Sequence, residues 1–584
     1  MNVFEKVEVL FEQALREMPF WSDKENLPPI TIKLETPRDR AHGDMASNIA
    51  MTLAKSLGKA PRDLADEICK HLNNIELIDS ASVAGPGFIN FTLKSNVWFE
   101  CVKRILELGI EFGSSNFGKD ERINIEYVSA NPTGPLHAAH ARGAVVGDTL
   151  SRLLRKVGFK VCKEYYINDA GTQVDILAKS AHLRYKEALG HEIGPIPEGL
   201  YPGNYLKQVG EALVEKDGDK WLSVPEEDWL PEVRSFTTRW LMDFIKSDLK
   251  DLGITMDEYI SERSLVNTGA VDRAMNLLSE KKLIYKGVLE PPKGKKPDDW
   301  EPRPQLLFQS TKFGDDVDRA IKKSDGTWTY FASDVAYHIN KIERGYLKLI
   351  DVWGADHGGY VRRMEAAVNA ASNYEASLDV KICQIVHLVK NGEPFRMSKR
   401  AGKFITLEDV LKAVGKDVLR FMMLTRRNDQ VLEFDFDTVV AQSRDNPVFY
   451  VQYAHARCCS VMRHASQIFD KEKLTPSYLS QMELWKLTDE AEVGLIKELA
   501  SWPRVVEGAA QAHEPHRIAF FLTDLAGAFH SLWNKGKDHN ELRFIIETDE
   551  EITLVRLALI QAVIIVLASG LELMGVEPIQ EMIS

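Results

Sequence analysis

At 584 residues, with 44% hydrophobic and 27% charged residues, the chain has the composition of a globular protein of about three to four domains. A formal net charge of −13 excludes a generally basic nucleic-acid coat, though not a local basic groove, because the field a partner meets is local. The six cysteines (Cys69, Cys101, Cys162, Cys383, Cys458 and Cys459) include no Cys-x-x-Cys pair, which argues against a structural zinc site and for a reducing compartment.

The first predicted element is an amphipathic helix, with Val3, Phe4, Val7, Leu10, Phe11 and Leu15 on one stripe and acidic residues between them. It reads as part of the fold rather than as a signal peptide. Residues 30–34 predict a short strand. A polar turn follows over 37–48, containing Arg38, Arg40 and Asn48. Gly85-Pro86-Gly87 predicts a turn and residues 88–93 a strand, so residues 1–112 form a small α+β unit. Nothing in it suggests a nucleophile or an acid–base pair.

From about residue 121 strands and helices alternate. A strand over 123–128 runs into Ser129-Ala130-Asn131-Pro132-Thr133-Gly134-Pro135-Leu136-His137-Ala138-Ala139-His140. A helix follows, with Val145, Val146, Leu150, Leu153 and Leu154 at helical spacing. A strand over 160–167 and a helix over 173–188 come next. This alternation predicts a parallel, doubly wound sheet, with ligands at the carboxyl ends of its strands. Two histidines at a helix start, beside unpaired N–H groups, suit a phosphate. The same spacing also suits two solvated histidines, so the loop alone leaves both readings open.

Residues 190–235, punctuated by five prolines and rich in acids, predict an insertion, and residues 291–297 a solvated basic loop. The sheet resumes at 259–260, leading into Ser261-Glu262-Arg263-Ser264. Residues 328–334, including Tyr330 and Asp334, predict another strand-to-helix junction. A strand over 349–353 ends in Gly354, Asp356 and His357, and residues 380–389 form the last clear strand. Arg396-Met397-Ser398-Lys399-Arg400 then lies in a basic, glycine-containing loop. From 407 onward the pattern is nearly all helical. Phe449, Tyr450, Tyr453, His455 and Arg457 interleave aromatic and basic groups, which suits single-stranded RNA and equally suits a helix core. The apolar run 557–576 contains Gln561 and Glu572 and predicts a buried bundle helix rather than a membrane span.

The pairing of His137-Ala138-Ala139-His140 after the first strand with Met397-Ser398-Lys399 after the last resembles the two signature motifs of class I aminoacyl-tRNA synthetases. Narrower wording resembles the bacterial arginyl-tRNA synthetase family: Ala130-Asn131-Pro132-Thr133-Gly134-Pro135-Leu136-His137, Tyr166-Ile167-Asn168-Asp169-Ala170-Gly171, Ser261-Glu262-Arg263-Ser264-Leu265, Val352-Trp353-Gly354-Ala355-Asp356-His357 and Tyr450-Val451-Gln452-Tyr453-Ala454-His455-Ala456-Arg457. The resemblance covers nearly the whole chain and is weakest over 190–235 and 291–304. The chain departs from the family pattern twice. Ala139 stands where His-x-Gly-His has glycine, and the family's Lys-Met-Ser-Lys-Ser reads Arg396-Met397-Ser398-Lys399-Arg400.

The resemblance implies a multidomain α/β protein. Its parts would be a small α+β N-terminal module over 1–112 touching the tRNA elbow, a Rossmann-type catalytic domain over 113–405 with its insertion near 190–235, and an all-α anticodon-binding bundle over 406–584. It implies ATP-dependent ligation of L-arginine to tRNA(Arg) through arginyl-adenylate. Mg2+ would accompany ATP with no structural metal in the protein. The chain would be a cytoplasmic monomer with no membrane association, and arginine activation would require bound tRNA. His137, His140, Ser398 and Lys399 would stabilise charge on the phosphates. Pro132, Gly134, Ala139, Gly354, Asp356 and Met397 would complete the ATP site. Glu262 and Asp334 would face the guanidinium, with Tyr330 at the border. Glu126, Asn131 and His357 would orient the other end of arginine. Arg38, Arg40 and Asn48 would contact the tRNA elbow, and Tyr453, Arg457 and Met582 the anticodon loop.

Overall fold

Strand–helix alternation between residues 122 and 383 builds a five-stranded sheet in which every neighbouring pair is parallel. The order across it is Ser377–Cys383, Lys348–Gly354, Arg122–Glu126, Lys160–Ile167, Glu258–Ser261. The computed structural model describes residues 3–21, 32, 34–37, 39, 42–289, 303–323, 325–395, 405–441, 443 and 445–582. The central strand Arg122–Glu126 is covered on both faces, and Ile123, Asn124 and Ile125 are all buried. The chain moves to one side for the next two strands and returns on the other side for the last two, so the order reverses at Arg122–Glu126. A crevice opens at such a reversal, outside the carboxyl ends of the strands.

Two sequence expectations need correction here. Residues 328–334 do not form a sheet strand. Trp328 makes one isolated bridge to Lys322, and a helix, Tyr330–Glu343, begins at once. Thr329 caps that helix by accepting the Ala332 N–H, and Phe331, Ala332, Val335, Ala336 and Ile339 bury one face. The aromatic run mimics strand composition, but the cap and the 3.6-residue burial period decide the outcome. The expected strand over 380–389 is two strands. Ser377–Cys383 joins the main sheet, whereas Val386–Lys390 pairs parallel to Leu432–Asp435 in a separate small sheet. The break falls at Gln384, whose N–H donates to Asn428 O and whose carbonyl accepts from Arg142.

The helix carrying the histidine pair, Ala138–Lys156, buries Ala141, Ala144, Val145, Leu150, Leu153 and Leu154 in the largest core. The expected insertion is helical rather than irregular. Tyr205–Asp217 and the start of Glu226–Asp251 form a core with Leu177, Ala181 and Tyr185, built on Leu206, Val209, Trp221, Trp229 and Val233. Leu206, Val209 and Leu213 follow helical spacing in the first of these helices, and Trp229, Val233 and Leu241 in the second. The basic stretch 291–297 lies outside the described residues.

The N-terminal region holds an antiparallel sheet, ordered Met45–Ser47, Phe88–Leu93, Ile78–Ala84. It packs with the helix Val3–Arg16 in the same core as the parallel sheet. Most of the strand expected over 30–34 lies outside the described residues; Glu35 bridges Ala46 beside it. The C-terminal region is built on the helices Pro447–Ile468, Glu490–Ala512, His516–Asp538 and Glu550–Leu573. Glu550–Leu573 is long and apolar enough to cross a membrane by length and composition, but 78% of that stretch is buried inside the protein.

Arg420 ties these regions together. Fully buried, it pairs with Asp148 at 2.7 Å and donates to Met574 O and Leu252 O at 2.6 and 3.0 Å. Asp148 lies on the helix that begins at the histidine pair, so one guanidinium joins that helix to the end of the last bundle helix. Arg142, one turn into the same helix, donates to the carbonyls of Gln384, Arg427 and Gln430.

Candidate active site

The central strand ends on Glu126, and the chain then leaves the sheet through a strained turn. Val128 and Ser129 have φ of 71° and 38°, which a β-branched residue rarely adopts. Ser129 locks the turn in place. Its hydroxyl donates to Glu126 Oε1 at 2.9 Å and accepts the Tyr166 N–H at 3.0 Å, and its carbonyl accepts from Asn168 Nδ2 at 3.1 Å. Beyond the turn a cavity of about 610 Å3 opens at the carboxyl ends of the strands.

On one side of this cavity stands the histidine loop. The His137 N–H donates to Nδ1 of His140 at 3.0 Å. That bond leaves Nδ1 unprotonated, so Nε2 of His140 carries the proton and is a donor. His140 lines the cavity, whereas Ala139 is exposed on the helix start. Pro132 and Gly134 lie behind the loop, where Tyr205 of the insertion donates to Thr133 O at 2.6 Å and packs over Gly134.

Met397, Ser398 and Lys399 lie outside the described residues, but the chain just after them is tied to the histidine loop. Ala138 N–H donates to Ile405 O at 3.1 Å, Leu407 N–H donates to Leu136 O at 2.8 Å, and Thr406 bridges His137.

On the other side stand two carboxylates that form no ion pair among the described residues. Glu262 begins the helix Glu262–Asn267 and is 9% exposed. Burial, with Asp334 and Asp169 nearby, pushes its carboxyl up to about 7. Asp334 lies on the first turn of Tyr330–Glu343, and burial pushes it up to about 6, opposed by the Tyr360 hydroxyl that donates to it at 2.6 Å. Tyr330 is 68% exposed at the rim. Asn131 lies opposite, donating to Gln173 Oε1 at 3.1 Å. Gly354 lies beside Asp356, whose Oδ1 would be 2.7 Å from a Cβ at that position. Asp356 and His357 extend into solvent at the mouth.

Beneath the cavity floor the charges are compensated. Lys341 Nζ donates to Glu126 Oε2 at 2.6 Å and to Asp351 Oδ1 at 3.0 Å, and His338 Nε2 lies 2.8 Å from Asp351 Oδ2. Burial pushes Asp351 up, but Lys341 and His338 outweigh it and hold the group at about 2. Burial prevails at Glu126, which stays above the usual carboxylate range despite Lys341. Glu126, His338 and Asp351 have the spacing of metal ligands, but the Lys341 ammonium already bonds both carboxylates. Arg344 does the same for the cluster of Cys162, Glu164 and Glu258.

Glu126, Asn131, His140, Glu262, Tyr330, Asp334, Gly354, Asp356 and His357 line one cavity; Pro132, Gly134, His137 and Ala139 do not line it. Sequence reasoning missed Tyr166, Gln173, Tyr337, His338, Asp351 and Tyr360, which also line it. Tyr166 sits near the carboxyl end of a sheet strand, and that placement was a usable signal.

Among the expected tRNA contacts, Arg38 and Arg40 lie outside the described residues, and Asn48 is exposed before the helix Ile49–Leu57. Arg457 lies over the rings of Tyr453 and Trp533, at 3.9 and 4.9 Å, and donates to the Tyr453 hydroxyl. The C-terminal segment that carries Met582 runs along the same helix, where His455 Nδ1 donates to Ile579 O and Arg463 to Gln580 O.

A doubly wound sheet with a histidine loop after its central strand, a strand-end cavity and a helical C-terminal bundle define a class I aminoacyl-tRNA synthetase. Family models narrow this. "Arginyl tRNA synthetase N terminal domain" matches residues 5–93, "tRNA synthetases class I (R), catalytic domain" residues 102–202, and "DALR anticodon binding domain" residues 451–582. An arginine–tRNA ligase of Parvibaculum lavamentivorans is 54% identical and one of Roseobacter denitrificans 53% identical, each over 100% of both chains. The solved arginyl-tRNA synthetase of Thermus thermophilus has the same fold, with a TM-score of 0.74 at 20% identity over 99% of this chain and 100% of that one. The chain belongs to the arginyl-tRNA synthetase family.

Proposed function

We infer that the chain ligates L-arginine to tRNA(Arg) at the expense of ATP, and that the cavity described above is where it does so. The carrying observation is the pairing, across one cavity, of an anion-suited histidine loop with two carboxylates, Glu262 and Asp334, that form no ion pair among the described residues. A guanidinium is planar, always charged and donor-only, so a site that selects it must present acceptors and negative charge.

In this reading the arginine carboxylate attacks the α-phosphate of ATP, forming arginyl-adenylate and releasing pyrophosphate. A ribose hydroxyl at the tRNA 3′ end then attacks the acyl carbon, and AMP leaves. The attacking carboxylate is already ionised, so no general base is needed for the first step, and catalysis rests on positioning and charge stabilisation. Nε2 of His140 donates to the phosphates, together with His137 at the helix start. Lys399 and Ser398 add charge stabilisation on the phosphates; they precede Thr406, which bridges His137. Pro132, Gly134 and Ala139 shape the phosphate loop, and Gly354, Asp356 and Met397 receive the nucleoside. Glu126, Asn131 and His357 orient the amino and carboxylate end of arginine, and Tyr330 closes the rim. Mg2+ enters with ATP, held by phosphates and water, since both candidate clusters among the described residues are already bonded by Lys341 or Arg344.

The domain limits proposed are 1–112, 113–405 and 406–584. Arg38, Arg40 and Asn48 meet the tRNA elbow, and Tyr453, Arg457 and Met582 meet the anticodon loop. The enzyme is a cytoplasmic monomer with no membrane association, and it activates arginine only with tRNA bound. The test is Asp334→Ala, assayed by arginine-dependent ATP–pyrophosphate exchange with tRNA(Arg) present. Exchange is lost while the circular dichroism spectrum is unchanged. Near-normal exchange would refute the pocket.

A further inference from the structure

Tyr166 lies near the carboxyl end of the strand Lys160–Ile167, in the cavity wall between the carboxylates and the strained Ser129 turn. It is 5% exposed, and its hydroxyl oxygen is buried without a hydrogen-bond partner among the described residues. A buried hydroxyl without a partner is costly and calls for an explanation. Its position is not an accident of loose packing. The ring stacks on Tyr337 with centroids 4.2 Å apart. Tyr337 in turn donates to Glu164 Oε1 at 2.6 Å, and Asn124 donates to Glu164 Oε2 at 2.9 Å. The ring is thus held in a rigid stack, and its hydroxyl faces the field of Glu262 and Asp334.

An acceptor count shows what the hydroxyl is for. A guanidinium offers five N–H donors. Asp334 Oδ2 already accepts from Tyr360, and Glu262 already accepts the Ala170 N–H. The two carboxylates therefore enter the site with part of their capacity spent. We propose that Tyr166 is a third reader of the substrate guanidinium: its oxygen accepts one N–H of arginine, an acceptor added to those of the two carboxylates. The hydroxyl is unpartnered in the empty site because its partner is the substrate. This rests on the reading of Glu262 and Asp334 as the guanidinium pocket.

The test uses full-length Tyr166→Phe and Asp334→Ala proteins in tRNA-supplemented pyrophosphate exchange, with thermal melts of the arginine-free proteins. In Tyr166→Phe the KM for arginine rises about tenfold, as expected for loss of one hydrogen bond to a charged partner. The kcat at saturating arginine and the KM for ATP stay within twofold. The melting temperature without arginine is unchanged or higher, because an unsatisfied hydroxyl has been removed and the stacked ring kept. An arginine KM within twofold of the parent would overturn the proposal, as would a melting temperature several degrees lower, which would mean that the hydroxyl is bonded within the fold. If Asp334→Ala retains exchange, the pocket reading fails and this proposal with it. If Asp334→Ala abolishes exchange and Tyr166→Phe leaves the KM unchanged, this proposal alone fails.

Discussion

Arginine recognition should depend steeply on pH between 6 and 8, because the two pocket carboxylates titrate in that window. Glu262 titrates near 7 and Asp334 near 6 in the empty site. Bound arginine brings a permanent positive charge and stabilises both ionised forms. Arginine therefore binds best above pH 7 and progressively worse as pH falls through those two values. Treating the groups as independent, both are ionised in roughly 90% of molecules at pH 8 and in about 5% at pH 6. The KM for arginine should then rise about twentyfold from pH 8 to pH 6. The KM for ATP, whose site does not contain these carboxylates, should move far less. Glu262→Gln separates the two contributions. With only Asp334 titrating, the rise over the same range falls to about twofold, on top of a higher KM throughout. The assay is pyrophosphate exchange with tRNA(Arg), at saturating ATP and varied arginine, with buffers of constant ionic strength. A KM that is flat from pH 8 to pH 6 in the parent enzyme, or a slope unaltered by Glu262→Gln, would refute the assignment of these carboxylates to the guanidinium.

The same shifts have a stability consequence of opposite sign. A carboxylate raised in the fold destabilises it above the folded pKa, and the penalty lifts as pH falls, so Glu262→Gln should melt higher than the parent at pH 8 and not at pH 5. Arg420→Ala removes the buried partner shared by Asp148, Met574 O and Leu252 O and should cost about 3–5 kcal/mol by urea unfolding; Arg420→Lys should not restore it, because an ammonium cannot reach three divergent acceptors. Ala139→Gly should lower the KM for ATP about threefold without changing that for arginine, at a cost of about 1 kcal/mol in helix stability. Lys399→Ala should slow single-turnover adenylate formation about a hundredfold while the arginine KM stays within twofold.

The parallel sheet was legible because its signal is local. Ile123 and Ile125 in the first strand and the helical stripe after His140 reveal their partners by period alone. Asp334 shows where that reasoning stops. Its neighbours Trp328, Thr329 and Tyr330 have strand composition, and only Thr329 acting as a cap makes the segment a helix. The residue still reaches the cavity, from a helix first turn instead of a strand end, so the expectation of its place survived an error about its element. The buried network was not legible at all. Lys341 is separated from Glu126 by 215 residues, and no spacing rule connects a lysine on a helix to a carboxylate on a distant strand. Motif wording drew attention to polar residues next to glycines. It included Tyr166 within a motif but gave it no role, although alternation on a strand that ends at the cavity places one side chain in two on its wall.

The distribution of charge across the site follows from what each layer must do. Under the sheet, several buried carboxylates have a cation within hydrogen-bond reach: Lys341 for Glu126 and Asp351, Arg344 for Glu164, Arg420 with Arg152 for Asp148. Those pairs cannot be broken cheaply, because the surviving charge would remain buried. At the cavity wall the rule is reversed. Glu262 and Asp334 accept from neutral donors, the Ala170 N–H and the Tyr360 hydroxyl, and burial without an ion pair among the described residues pushes both carboxyls up. A ligand that supplies a permanent positive charge in a planar fork gains what the fold has withheld. Lysine would supply the charge but only three donors, from a compact ammonium that cannot span two carboxylates and Tyr166 together. Selectivity for arginine then resides less in any one contact than in leaving acceptors unpaired on a wall whose foundations are paired.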